Sequence, residues 1–173
     1  SVALIRQTLS DSQWYIAAVD KTDLRYFEQK IEFNAALEEG ASELFTRSII
    51  FEVQDDQDLF MAQGLLADYK LDASFVASGY EYTRADDLGR LKQPLIVPLD
   101  FPSKPNVGAL GDELDIGLDE LRHWERAASN PSTIVSAGLP IAFTTYRLAK
   151  PNEFWSNVRQ SVAAGLSKKD ALA

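Results

Sequence analysis

A chain of 173 residues, 46% apolar and 25% charged, is long enough to bury one hydrophobic core. Its formal net charge of −9, with short acidic clusters such as "DDQD" (55–58) and no basic stripe, excludes nucleic acid and anionic membrane surfaces as partners. With no Cys and the single His123, disulfides, thiolate sites, a Cys nucleophile and a multi-His metal site built by this chain alone are excluded too.

No apolar run approaches the ~18 residues that a membrane span needs, and Arg6 and Gln7 interrupt any leader-like start. The chain therefore reads as soluble, with a periplasmic or secreted placement open if a signal was removed upstream.

In chain order, "ALIRQTLSDSQWYIAAVDK" sets Leu4, Ile5, Leu9, Trp14, Ile16 and Ala17 at roughly helical spacing, weakened in the middle by Ser10 and Asp11. Residues 20–31 are polar and carry no pattern. "EFNAALEEGASELFTR" reads as a second helix, capped by Asn34, with Leu37, Leu44 and Phe45 on one side. "SIIFEV" (48–53) is then a short apolar strand. The helix "DDQDLFMAQGLLADYK" follows, with an apolar stripe of Leu59, Met61, Leu65, Leu66 and Tyr69 and acidic residues at its start, where the macrodipole favours them.

A strand at "DASFVAS" (72–78), a turn at Gly79 and a helix "TRADDLGRLKQ" come next. "PLIVPLD" (94–100) is a third strand and "LPIAFTT" (139–145) a fourth. A helix "PNEFWSNVRQSVAAG", with Pro151 in its first turn, follows, and "LSKKDALA" opens another. Strands of continuous apolarity alternating with helices predict an α/β fold with a parallel sheet buried on both faces. The long loop Phe101–Gly117 follows the third strand, on the side where such folds place function.

The run "LRHWERAASNPSTIVSAGLPIAFTTYRLAKPNEFWSNVRQSVAAGLSKKDALA" resembles the amidohydrolase superfamily, nearest to its imidazolonepropionase-like branch. Asn130-Pro131 opening a helix, the Ala137-Gly138 turn, a strand ending Thr144-Thr145, and Gly165-Leu166-Ser167 with Asp170-Ala171-Leu172 fit the family's order. Upstream, "IIFEVQDDQDLFMAQGLLADYKLDASFVASGYEY" resembles the family's fifth and sixth strands. The resemblance implies a partial (β/α)8-type barrel of about four parallel strands with flanking helices plus N-terminal helices. As one domain, 1–173 then divides into an N-terminal helical segment, 1–47, and four βα units, 48–173, resembling barrel strands 5–8.

Family members hold one or two divalent cations, zinc or another metal, through a strand-1 His-x-His, His residues ending strands 5 and 6, and an Asp ending strand 8. The metal lowers the pKa of a bound water and polarises the scissile carbonyl. Here the strand-1 pair would lie before residue 1, and the other positions fall at Glu52, near Ser78, and at Tyr146. One carboxylate and a hydroxyl do not make a catalytic metal site, and a phenol with an ordinary pKa of about 10 replaces the aspartate poorly as a base. The expectation is no metal and no cofactor in this chain, which is inactive alone. The catalytic residues stay unknown, with Glu52 and Tyr146 the candidates at these positions.

Each polar residue carries a bland reading beside its functional one. Glu52 is either a polar group at the barrel mouth or a strand residue on the solvated edge. His123, on the charged helix "DELRHWERAA", reads as structural, hydrogen-bonded or stacked on Trp124. Ser78, Tyr80 and Tyr82 could line a binding pocket with Arg84 at hand for an anion, or simply pack a loop. Arg147 and Lys150 could recognise a carboxylate or stand exposed. Asp100 reads as a cap for backbone N–H groups. The glycines of "GALGDELDIG" match no phosphate loop.

Half a barrel leaves two strand edges unpaired. The start without Met and the end within "DALA" fit an excised fragment. The expected partners are further copies of the chain or the missing N-terminal half of a parent protein, with a small-molecule ligand at the barrel mouth. Three readings stand: an amidohydrolase-like fragment, a non-catalytic binding or oligomerisation domain on a degenerate barrel, and a metal-free enzyme using Glu52, Tyr82, Arg147 and His123.

Overall fold

The computed structural model describes residues 2–20, 32–106, 108 and 116–173. Helices α1 (Val2–Asp20) and α2 (Ala35–Leu44) precede β1 (Ile49–Glu52), α3 (Asp56–Tyr69), β2 (Ala73–Val76), α4 (Ala85–Leu88) and β3 (Leu95–Pro98). Then come α5 (Leu118–Arg126), α6 (Asn130–Ser136), β4 (Ile141–Thr144) and α7 (Phe154–Ala163). Single 3-10 turns precede α4, α6 and α7. The described chain forms two compact units, Ser1–Ile49 with Ala62–Ala73 and Ile50–Met61 with Ser74–Ala173. No helix among the described residues is long and apolar enough to cross a membrane.

Within the first unit α1 and α2 pack together, close where Gly40 lies beside Ser12: a Cβ there would come 3.2 Å from the serine oxygen. Asn34 caps α2 as expected, its side-chain oxygen accepting from the Ala36 and Leu37 N–H groups. Of the apolar stripe foreseen for α1, Leu9 is buried and the rest is not. Leu9, Ser12 and Tyr15 are buried, while Leu4, Ile5, Trp14, Ile16 and Ala17 are exposed. At 1.5 Å per residue, ten-residue α2 reaches only half the length of nineteen-residue α1. In α3, Leu59, Leu65 and Leu66 are buried as foreseen, but Met61 is exposed, and the Tyr69 hydroxyl sits between Ser10 (2.5 Å) and the Arg6 carbonyl (2.9 Å).

The strands form one sheet of order β1-β2-β3-β4. Parallel registers pair Phe75 with Leu95 and Leu95 with Ile141. The bonds from Ile49 N to Asp72 O and from Val53 N to Val76 O keep one offset along both chains, so β1 runs parallel to β2 as well. Full burial on both faces holds only towards the centre. Leu95, Val97 and Pro98 of β3 are buried, whereas β1 alternates half-buried with exposed and leaves Ile50 66% exposed. An edge strand has one neighbour, so its outer residues lack the cover that β3 receives.

Three helices end in the same way. Lys70 (φ +55), Gly138 (φ +86) and Gly165 (φ +114) take the left-handed conformation. The next residue, Leu71, Leu139 or Leu166, bonds its N–H to the carbonyl five positions back and is buried. This is a Schellman ending with its apolar contact, and it turns each helix back towards the core.

Two expected helices are shorter or missing. "TRADDLGRLKQ" gives a 3-10 turn, Glu81–Arg84, and the single turn α4, which stops at Gly89. "LSKKDALA" forms turns: the Ser167 hydroxyl donates to the Asp170 carboxylate and accepts from the Asp170 N–H, and the Ala171 N–H bonds the Ser167 carbonyl. Of the loop 101–117, residues 107 and 109–115 lie outside the described residues, as do 21–31 of the unassigned polar stretch.

Candidate functional site

The site stands at the carboxyl ends of the strands and lies wholly within the second unit. After β2 the chain turns through Gly79, whose φ of +95° any L side chain would resist. The turn folds around the Glu81 carboxylate, which is 1% exposed. One of its oxygens accepts from the Ser78 N–H (2.6 Å) and hydroxyl (2.8 Å); the other accepts from the Gly79 N–H (3.2 Å) and the Asn130 side-chain amide (2.6 Å). Asn130, equally buried, accepts in turn from the Tyr82 N–H (2.8 Å), tying this loop to the start of α6.

Sequence reasoning assigned no role to either Glu81 or Asn130. The signal available was the Ser-x-x-Glu spacing of Ser78 and Glu81, a capping-box pattern whose Glu reaches back to the serine N–H. For Asn130 no local signal existed, since its partners are 48 and 49 residues away.

The clamp presents Tyr80 and Tyr82 to α5. His123 stacks on Tyr80, ring centroids 3.9 Å apart and planes 13° from parallel, and its Nδ1 lies 3.2 Å from the Tyr82 hydroxyl. The stacking partner is thus Tyr80 rather than Trp124, whose ring is 40% exposed. Partial burial lowers the His123 pKa, against the Asp100 and Glu81 carboxylates, which raise it, so the ring is neutral at pH 7. Burial, with Tyr80 adding to it, raises the pKa of Tyr82.

Beyond β4, Tyr146 and Arg147 reach different strands, with the guanidinium 5.7 Å from the Tyr146 ring centroid. The Tyr146 hydroxyl donates 2.7 Å to Glu52 at the end of β1. Arg147 takes a left-handed φ of +65° and sends its guanidinium to the Ala77 carbonyl after β2 (2.6 Å) and to Asp100 after β3 (3.3 Å). Two consecutive residues therefore tie the carboxyl ends of all four strands. Asp100 pairs with this arginine and caps no backbone N–H among the described residues.

A cavity of about 230 Å³ opens here, lined by Gln54, Ser78, Tyr80, Asp100, His123 and Arg147 among others. Ser78, Tyr80 and Arg147 thus meet in one place. Tyr82 stands behind His123, and Glu52 is held by Tyr146; neither lines this cavity. Arg84 lies over the Phe60 ring and pairs with Asp87 and Asp56, and Lys150 pairs with Glu153, so neither faces the cavity.

The three positions that the amidohydrolase resemblance assigns to metal ligands do not fit a divalent cation. Glu52 accepts a hydrogen bond from the Tyr146 hydroxyl, the Ser78 hydroxyl donates to Glu81, and hydrogen bonding to Glu52 raises the Tyr146 pKa, which keeps the phenol protonated. Among the described residues no three His, Cys, Asp or Glu side chains cluster.

A crystal structure of an amidohydrolase from Thermotoga maritima MSB8 is similar to this chain, with a TM-score of 0.69 at 14% identity. The match covers 99% of this chain and 41% of that one, so this chain spans well under half of its neighbour's length. No protein-family model matches the sequence, and no curated protein matches it. At such identity the likeness shows the fold alone: part of an amidohydrolase-like barrel, four parallel strands with their helices.

Proposed function

We propose that this chain is a degenerate part of an amidohydrolase-like barrel, of the imidazolonepropionase-like branch, that binds a small polar molecule and does not hydrolyse one through a metal. The observation that carries the reading is the state of the three ligand positions. Glu52 and Tyr146 are bonded to each other, and Ser78 is committed to the Glu81 clamp. Beside them stays a polar cavity with an arginine, a carboxylate and a neutral imidazole, the lining a binding site needs. A metal-free enzyme using Glu52, Tyr82 and Arg147 would need them around one point, and they belong to separate hydrogen-bond groups.

Because His123 is the chain's only histidine, its ring resonances report on the cavity without ambiguity. A library of small polar fragments should yield ligands that shift the His123 signals saturably and bind about tenfold more weakly to Arg147→Ala. A library without one such ligand overturns the reading. So does zinc-stimulated amide hydrolysis that Glu52→Ala abolishes.

A further inference from the structure

The charges at the cavity are arranged for a ligand carrying both signs. Arg147 Nη2 bonds the Ala77 carbonyl and Nε faces one oxygen of Asp100, while Nη1 has no hydrogen-bond partner among the described residues. The second Asp100 oxygen is likewise without one. Both side chains line the cavity and remain roughly one-third exposed, 28% for Arg147 and 34% for Asp100. One guanidinium nitrogen, Nη1, and one carboxylate oxygen, both without a partner among the described residues, thus belong to neighbouring groups of opposite charge at the cavity.

Arg147 holds this position from a left-handed backbone, a conformation that is unfavourable for a residue bearing a side chain. Such strain persists where the surroundings over-determine it, and it clusters at ligand clamps. The stacked pair of Tyr80 and His123 also lines the cavity, aromatic rings against which a planar group can pack.

We propose that the cavity binds a compact zwitterion of the α-amino-acid type, its carboxylate on Arg147 Nη1, its ammonium on Asp100 and its side chain against Tyr80 and His123. This rests on the small-molecule-binding reading above and gives it a ligand class. Selectivity comes from penalties as well as contacts. A bare carboxylate would meet Asp100, with Glu81 behind it. A bare amine would meet Arg147. A ligand with both charges side by side meets neither repulsion and gains both attractions. At about 230 Å³ the cavity is smaller than the ~300–1,000 Å³ usual for drug-sized ligands, which suits a ligand of amino-acid size.

The test titrates the full chain with the common L-amino acids and then, for the aromatic case, with phenylalanine, phenylpropionate and phenethylamine, following the His123 resonances. Phenylalanine should bind with a Kd of about 1 mM or tighter, and each one-charge analogue about tenfold more weakly. Asp100→Asn should weaken phenylalanine and strengthen phenylpropionate, and Arg147→Gln should do the converse for phenethylamine. Retained spectral dispersion shows that both variants fold. Equal binding of the three compounds, unaltered by either substitution, overturns the zwitterion while leaving a binding cavity. If no amino acid shifts His123 although polar fragments do, the ligand class falls alone. If nothing shifts it, both proposals fall.

Discussion

The Tyr146 hydroxyl donates a 2.7 Å hydrogen bond to Glu52, linking the turn after β4 to the last residue of β1 at the opposite edge of the sheet. This bond, rather than burial, is the main reason the phenol's pKa is raised, since an ionised Tyr146 would lose it and stand beside a carboxylate. In a spectrophotometric titration of the phenols, Tyr146 should therefore ionise above pH 10 in the wild type and lower in Glu52→Gln. The linkage has a definite sign. A native pKa above the unfolded value means that this contribution to stability is whole below pH 10 and fades as pH climbs towards the native value. Tyr146→Phe should remove that alkaline loss.

His123 gives the opposite case. Its native pKa lies below 6.5 because burial disfavours the cation. The unfolded chain then takes up the proton first, so its contribution to stability is complete above pH 6.5 and declines as pH falls through the native pKa. An NMR titration should place the His123 midpoint below 6.5. Asp100→Asn, which removes a carboxylate that raises the pKa, should move it lower still.

Glu81 and Asn130 are buried polar groups satisfied only by one another and by the turn they organise. Asn130→Ala strips a donor from Glu81 and orphans the Tyr82 N–H, and Glu81→Ala leaves the Asn130 amide and the Ser78 N–H without their partner. Each should cost about 2–4 kcal/mol in denaturant unfolding, given ~1–3 kcal/mol per orphaned group. Cost alone would mark a structural role; a clamp that positions the wall must also displace the His123 resonances, because Tyr80 and Tyr82 hang from it.

The α/β pattern, the strand order along the chain and the Asn34 cap were legible in the sequence because apolar runs and capping are local. The depth of burial was not. "SIIFEV" reads as continuous as "PLIVPLD", yet β1 is an edge and β3 is central, a difference made by neighbours that no window contains. In unfolding experiments Leu95→Ala should cost about 2–5 kcal/mol, whereas Ile50→Ala should stay within about 0.5 kcal/mol. The site was half legible in the same sense. Ser78, Tyr80 and Arg147 follow strands in sequence and meet at the cavity, but the Glu81–Asn130 clamp and the stacking of His123 on Tyr80 join segments 40 to 50 residues apart.

Among the described residues no strand pairs with the outer edge of β1 or of β4. We propose that further chain covers them, a second copy or the rest of a longer barrel. Light scattering should then give a mass above that of one 19.2 kDa chain for the protein alone, and a monodisperse monomer would count against self-association.

Glu52 and Tyr146 are bonded to each other, and we propose that they hold no metal. Equilibrium dialysis against zinc, followed by metal analysis, tests it most directly. Far less than one zinc per chain, unchanged in Glu52→Ala, is the expected result; one zinc per chain that Glu52→Ala releases would overturn the proposal.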